Sequence, residues 1–439
     1  MENNMTEDYS KKSTFVPMTI IGMLFFIFGF VTWLNGSLIP LLEIVCELTS
    51  FQALFVTFAF YAAYTIMAIP SSFVLIRIGY KNGMALGLGI TGLGALIFIP
   101  AAIFSEFPIF LLGLFVLGSG LTLLQTAANP YVVCIGPHKS AAIRISIMGI
   151  INKSAGVVAP ILFAAYVLTG MDQYTKESLN ALDEVNRQAQ LHALSLRLVY
   201  PYIILAILLF VFMVLIKKSK LPELTFDDKT EEKNLKFIDI FKFPQTILGV
   251  LALFMGIGAE VIAGDTIGLY GRQLGVTNFG VLTSYTMGFM VIGYVAGILL
   301  IPRYLKQETA LAGSAFLGII FSIGIVISST QDANLSAIFL GWLNVPSVPN
   351  SVFFISLLGM ANALVWPAIW PLALNGLGRY TGIGSALLIM SIAGGALLPL
   401  LFGHLSQNDV TQQQAYSILI ISYLIIAFYA LKGHKITKW

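Results

Sequence analysis

The sequence predicts an all-α membrane protein: twelve transmembrane helices in two six-helix halves, with both termini in the cytoplasm. Three observations carry that expectation. Of 439 residues, 57% are hydrophobic and only 10% are charged, where a soluble domain carries about 25% charged residues. Apolar runs recur twelve times, each near the roughly 20 residues that a helix needs to cross a bilayer. Lys and Arg are distributed unequally between alternate loops. This composition excludes an ordinary cytosolic enzyme and a disordered chain, and a net charge of +3 offers nothing to nucleic acid.

The predicted spans, cut at charge clusters and turn residues, are 15–39, 51–76, 83–103, 107–134, 143–168, 199–217, 245–269, 281–301, 308–329, 351–374, 381–403 and 414–432. Hydrocarbon offers backbone groups no water to bond, so spans this apolar must be helical. The first run follows Lys11 and Lys12, is too long for a signal-peptide core and lacks a small-residue cleavage site after it; it reads as a permanent span. Counting from the N-terminus, alternate loops hold nineteen Lys and Arg and the intervening loops four, which places both termini in the cytoplasm. Residues 1–217 then form the first half, 218–244 a charged cytoplasmic linker and 245–439 the second half. The charge cluster that opens at Lys217 and runs through the linker holds Lys218, Lys220, Asp227, Asp228, Lys229, Glu231, Glu232 and Lys233, a solvated run that sets topology. Between spans five and six, mixed charges from Thr169 to Leu198 predict an external amphipathic helix. Cys46 and Cys134 fall at opposite faces and should not pair.

The halves echo each other. Ser146, Asn152, Gly156 and Pro160 of span five correspond, 239 residues on, to Ser385, Ser391, Gly395 and Pro399 of span eleven. Arg77 and Lys81 follow span two as Arg303 and Lys306 follow span eight, and prolines 130 and 367 interrupt spans four and ten. This is the plan of parallel six-helix repeats, with a site near the midplane between them.

Four stretches carry a resemblance: Phe30-Val31-Thr32-Trp33-Leu34-Asn35-Gly36 before Pro40, Leu124-Gln125-Thr126-Ala127-Ala128-Asn129-Pro130-Tyr131, Ile151-Asn152-Lys153-Ser154-Ala155-Gly156, and Ser391 to Pro399. The chain resembles the fucose permease and glucose/galactose transporter branch of the major facilitator superfamily, most specifically in the (Glu/Gln)-Thr-Ala-Ala-Asn-Pro motif. The resemblance implies a monosaccharide transporter of the bacterial inner membrane that works as a monomer. It departs from the fucose permease at two positions, where an aspartate and a glutamate of that family become Gly36 and Gln125. Neither residue can carry a proton, so the coupling chemistry must differ.

Lys153, Glu260 and Asp265 lie well inside predicted spans, where a charge costs at least about 2.5–3.5 kcal/mol. Lys153 and Glu260 sit at similar depth, one in each half. Glu260 is therefore the candidate coupling carboxylate, with Lys153 tuning it or forming a switching pair. Asp265 lies five residues on, roughly 140° around the helix, and is a candidate second cation ligand, sugar contact or outer gate. The expected coupling ion is Na+ slightly ahead of H+, and no metal or other cofactor is implied, because the four histidines all fall in loops or tails.

Sugar hydroxyls call for amides, which both donate and accept, and sugar C–H faces call for aromatic rings. Asn35, Gln125, Asn129, Asn152 and Asn362 supply the first; Trp33, Trp366, Trp370, Tyr61 and Tyr64 supply the second. Asn362, Trp366 and Trp370 recur every four residues and drift slowly around one face of span ten. Arg77, Lys81, Arg303 and Lys306 form a degenerate loop motif, without its usual aspartate, that could gate the cytoplasmic side through ion pairs with helix ends. The expected activity is cation-coupled import of a hexose such as glucose, galactose or fucose, with a sugar uniporter or an efflux transporter as the alternative. No Walker lysine motif and no acid–base–nucleophile cluster points to ATP-driven transport or to an enzyme.

Overall fold

The computed structural model describes residues 15–135, 141–174, 178–179, 181–219, 221–223, 237–301, 303–343, 345–407 and 411–439. Lys220 and the linker charges from Asp227 to Lys233 lie outside the described residues. Among those described, twelve helical stretches are long and apolar enough to cross a membrane. They are Phe15–Val45, Ser50–Ile78, Tyr80–Phe104, Phe107–Val132, Ile143–Tyr166, Glu184–Lys218, Pro244–Asp265, Phe279–Leu300, Gln307–Ile327, Asn350–Leu374, Ile383–Leu405 and Gln412–Lys435, numbered one to twelve below.

Most spans begin or end within a few residues of the apolar runs. The larger differences sit where polar residues continue a helix beyond the hydrocarbon. Span six is preceded by an amphipathic helix, Glu184–Leu196, in the loop where mixed charges predict one; Asp183 caps it by accepting from the Asn186 backbone N–H. Span seven ends at Asp265, four residues earlier than its apolar run, and the chain resumes as a short helix, Ile267–Gln273.

Span one likewise runs as Phe15–Trp33, breaks at Leu34 and resumes as Asn35–Val45. Span ten is Asn350–Asn362 followed by Val365–Leu374. Its break lies one turn before Pro367, because a proline ring clashes with the carbonyl four residues earlier and leaves it without a donor; here that residue is Ala363. Pro130 does not interrupt span four, contrary to expectation: the helix runs unbroken from Phe107 to Cys134. Exposed apolar side chains such as Phe73, Ile76, Ile204, Ile207, Ile320 and Leu424 face outward, as lipid contact requires.

Span three packs on spans four and six, with span two against four and span one against five. In the same way, spans eight and nine pack on ten, nine on twelve, and seven on ten, eleven and twelve. The two groups meet where span five lies along span eight, where span two lies along span eleven, and where Asn35–Val45 touches Ile267–Gln273. Glycines set some of these distances. A Cβ on Gly29 would stand 1.9 Å from the Asn152 carbonyl oxygen, and one on Gly394 would stand 1.9 Å from that of Phe254, so spans one and five, and seven and eleven, approach at backbone contact.

Candidate functional site

Spans five and seven bring the two mid-depth charges together. Lys153 Nζ donates to Glu260 Oε1 at 2.5 Å. Both side chains are largely buried, with 12% and 16% of their surface exposed. The ammonium also lies 4.6 Å from the centre of the Trp33 ring, whose negative face attracts it. Trp33 is itself wedged between glycines: a Cβ on Gly156 would meet the indole at 2.6 Å and one on Gly264 at 2.4 Å. Trp33, 2% exposed, thus props Lys153 from below in this conformation and offers no open face to a sugar ring. Its Nε1 has no hydrogen-bond partner among the described residues.

Asp265 does not join this pair. It is completely buried, and its Oδ2 accepts from Thr57 Oγ1 of span two at 3.0 Å. Its Oδ1 has no partner among the described residues. The two acids of span seven therefore face different elements of the opposite half, as their angular separation requires.

The amides divide into two sets. Gln125 is partly exposed and donates from Nε2 to Tyr64 Oη at 3.0 Å, while Tyr61 and Tyr64 stack with ring centres 6.1 Å apart. Asn129, one turn further along span four, is exposed. Two others are turned to helix packing. Asn152 Nδ2 donates to the Phe25 carbonyl at 3.2 Å, tying span five to span one. Asn362, 1% exposed, accepts at Oδ1 from Tyr423 Oη of span twelve at 2.8 Å. Beyond Asn362, Trp366 and Trp370 have partly exposed rings 5.5 Å apart. Asn35 is 2% exposed, and its Nδ2 is without a partner among the described residues.

Of the loop cations, Lys81 Nζ donates to the Ser219 carbonyl at 2.5 Å. The neighbouring Glu223 accepts from the backbone N–H groups of Tyr80 and Lys81, where the first turn of a helix favours an anion. The loop thus ties down the chain leaving span six. Arg77, Arg303 and Lys306 are exposed and make no ion pair among the described residues.

Sequence reasoning missed a second charged cluster, at the end of the bundle opposite the termini. Arg272 Nη1 donates to Glu43 Oε2 at 2.5 Å. Ser50 Oγ donates to Glu43 Oε1 at 2.8 Å, and Gln273 Nε2 donates to Ser50 Oγ at 3.1 Å. Nearby, Ser37 Oγ donates to the Gly280 carbonyl at 2.6 Å. The only signal in the sequence was one acid at the tail of span one and one base after span seven. Among the described residues, no group of three or more His, Cys, Asp and Glu side chains could hold a metal ion.

Comparison with known proteins adds a family. The pattern of the Major Facilitator Superfamily matches residues 21–400. A glucose/galactose transporter of Brucella abortus (biovar 1, strain 9-941) is 32% identical over 435 residues, covering 98% of this chain and 97% of that protein. An L-fucose-proton symporter of Escherichia coli K12 is 27% identical, covering 95% and 93% of the two chains. Among solved structures, the transporter FucP in its outward conformation aligns with a TM-score of 0.72 at 26% identity, over 95% of this chain and 99% of that one. A D-xylose-proton symporter shares the fold at a TM-score of 0.67 and 13% identity, over 96% and 98%.

Proposed function

The chain belongs to the major facilitator superfamily, and from that premise we propose that it imports a monosaccharide by alternating access, coupled to a cation. It is a multi-pass integral membrane protein of the bacterial inner membrane, and its relatives are transporters, not enzymes. The observation that carries the proposal is the Lys153–Glu260 pair, a buried ion pair that crosses between the halves at mid-depth. When the halves part, that pair must break or change partners. A carboxylate released from its ammonium takes up a cation or a sugar hydroxyl far more readily, so binding and movement are linked at one contact.

The sugar is proposed as a hexose of the glucose, galactose or fucose kind, on the names of the relatives. Gln125 and Asn129 of span four are the amides best placed to meet it, with Trp366 as the stacking face. Asn35 joins them once the helix break at Leu34 moves, while Asn152, Asn362 and Trp33 hold the walls. The excess of Lys and Arg in loops at the terminal end supports a cytoplasmic location for both termini. Residues 1–217 and 245–439 are then the two rocking halves, joined by 218–244.

The sequence weighs Na+ slightly ahead of H+; we place H+ first. Sodium is a hard cation held by several oxygens at once. Among the described residues Asp265 has one hydroxyl partner and Glu260 one ammonium, so neither carboxylate stands among several oxygens. The named proton coupling of the fucose relatives agrees with that order. Arg77, Lys81, Arg303 and Lys306 would gate the cytoplasmic mouth, with Glu223 of the linker standing in for the absent aspartate.

The test is uptake of labelled glucose, galactose, fucose and N-acetylglucosamine into proteoliposomes under an imposed proton or sodium gradient. Accumulation driven by the proton gradient supports the proposal. Accumulation driven by sodium alone transfers the coupling to Na+, equilibration without accumulation makes the protein a uniporter, and no movement of any sugar overturns the substrate class.

A further inference from the structure

We propose that Glu43 and Arg272 form a reversible latch that seals the transport path at the end of the bundle opposite the termini, with Ser50 and Gln273 as its second strand. The pair joins the outer pieces of two broken helices, Asn35–Val45 of span one and Ile267–Gln273 beyond span seven. Each piece begins just after a residue of the candidate site: Trp33 precedes the break at Leu34, and Asp265 precedes Thr266. The first piece itself opens on Asn35, a residue of the candidate site, so a swing of that piece moves Asn35 and the latch together.

The chemistry suits a contact that must open in every cycle. Glu43 is 6% exposed and Arg272 18%, so the closed pair is mostly out of water. The attraction gained there is offset by the cost of desolvating both charges. Parting the halves returns both ions to water, and the two states come close in free energy. Ser50 occupies the second carboxylate oxygen of Glu43 and accepts in turn from Gln273, so the closed state leaves neither carboxylate oxygen unbonded. Beneath the latch, Ser37 is fully buried and bonded to Gly280 of the other half. A Cβ on Gly268 would stand 3.0 Å from the Gly36 carbonyl oxygen, and one on Gly36 would stand 2.2 Å from Thr283 Oγ1 of span eight, a closeness that leaves no route for a solute beside these pieces.

This inference rests on the alternating-access reading, but its test needs no sugar. Ser37→Cys is introduced into a Cys46→Ser, Cys134→Ser background of the full chain, and maleimide labelling of Cys at 37 is followed in lipid nanodiscs. Glu43→Gln and Arg272→Gln should each raise the labelling rate about tenfold, and the charge-reversed pair Glu43→Arg with Arg272→Glu should return it towards the parent. Labelling in all three at the parent's rate overturns the latch. A second arm replaces both residues, Glu43→Cys with Arg272→Cys, and joins them with a short reducible cross-linker, so that no charge is left buried alone. Cross-linking should stop exchange of the transported sugar in proteoliposomes and reduction should restore it; undiminished exchange in the cross-linked protein overturns the proposal. A wrong substrate class would show instead as no sugar movement in the uncross-linked parent, with the labelling result intact.

Discussion

Lys153 and Glu260 make a pair whose two members cannot be judged separately. Removing the ammonium leaves a carboxylate largely out of water with no counter-charge, and breaking such a pair costs about 3–5 kcal/mol. Lys153→Met should therefore lower the thermal midpoint markedly, while the double variant Lys153→Met, Glu260→Gln should recover most of that loss, because neutral groups need no partner. Function should part from stability in the double variant: exchange of sugar persists and accumulation against a gradient is lost. Thermal unfolding in detergent and uptake in proteoliposomes read the two quantities, and a double variant no more stable than the single one would show that the pair is not the source of the cost. Outside the spans, burial pushes the Cys46 thiol up to about 12, with the charge of Glu106 adding to the shift. A raised pKa keeps the thiol protonated, so the reactive thiolate stays scarce at neutral pH. In a Cys134→Ser protein, maleimide labelling of Cys46 should be slow at pH 7 and should climb with pH without levelling off below about pH 11. A plateau near pH 9 would mean an ordinary, solvated thiol.

At the scale of the helices, glycine contacts within a half and between halves should respond differently to one added methyl group. A Cβ on Gly29 would meet the Asn152 carbonyl at 1.9 Å, and backbone cannot step aside, so Gly29→Ala should force spans one and five apart and lower stability by about 1–3 kcal/mol. A Cβ on Gly36 would stand 2.2 Å from Thr283 Oγ1 and 2.7 Å from the Gly264 carbonyl oxygen of the other half. That contact exists only while this end is closed, so Gly36→Ala should fold normally and favour the opposite conformation. Equal loss of thermal stability in both variants would refute the distinction. The same scale shows how much of the molecule was legible in its sequence. Span positions were readable because a bilayer demands long apolar helices. The pairing of Lys153 with Glu260 was readable because charges at equal depth in hydrocarbon must find each other. Glu43 and Arg272 are 229 residues apart and lie at span ends, where water tolerates a charge, so nothing in either residue's surroundings demanded a partner. The bond from Tyr423 to Asn362 was not readable, because it joins spans ten and twelve and no period within one helix announces it. The burial of Trp33 was not readable, because Gly156 and Gly264, which pack against its indole, come from two other spans.

The whole molecule stands closed at one end. The hydrogen-bonded cross-half contacts Thr57–Asp265, Ser37–Gly280 and Glu43–Arg272 lie at mid-depth or beyond it, away from the termini. Two packed halves with such a seal behave as a two-state object, and a variant that weakens only the sealed state shifts the population toward the other. Exposed Arg77 and Arg303 sit at the terminal end, one in each half, and make no ion pair among the described residues. They are suitable places for spin labels. In the Arg77→Cys, Arg303→Cys protein, pulsed dipolar spectroscopy reads the separation of the halves at the end they are not latched. Adding Glu43→Gln should enrich a shorter distance, because opening one end of a rocking pair closes the other. A distance distribution unchanged by Glu43→Gln would mean that the two ends are not mechanically joined through the Lys153–Glu260 contact, and the halves would then have to admit and release their solute by local movement of the broken helices alone.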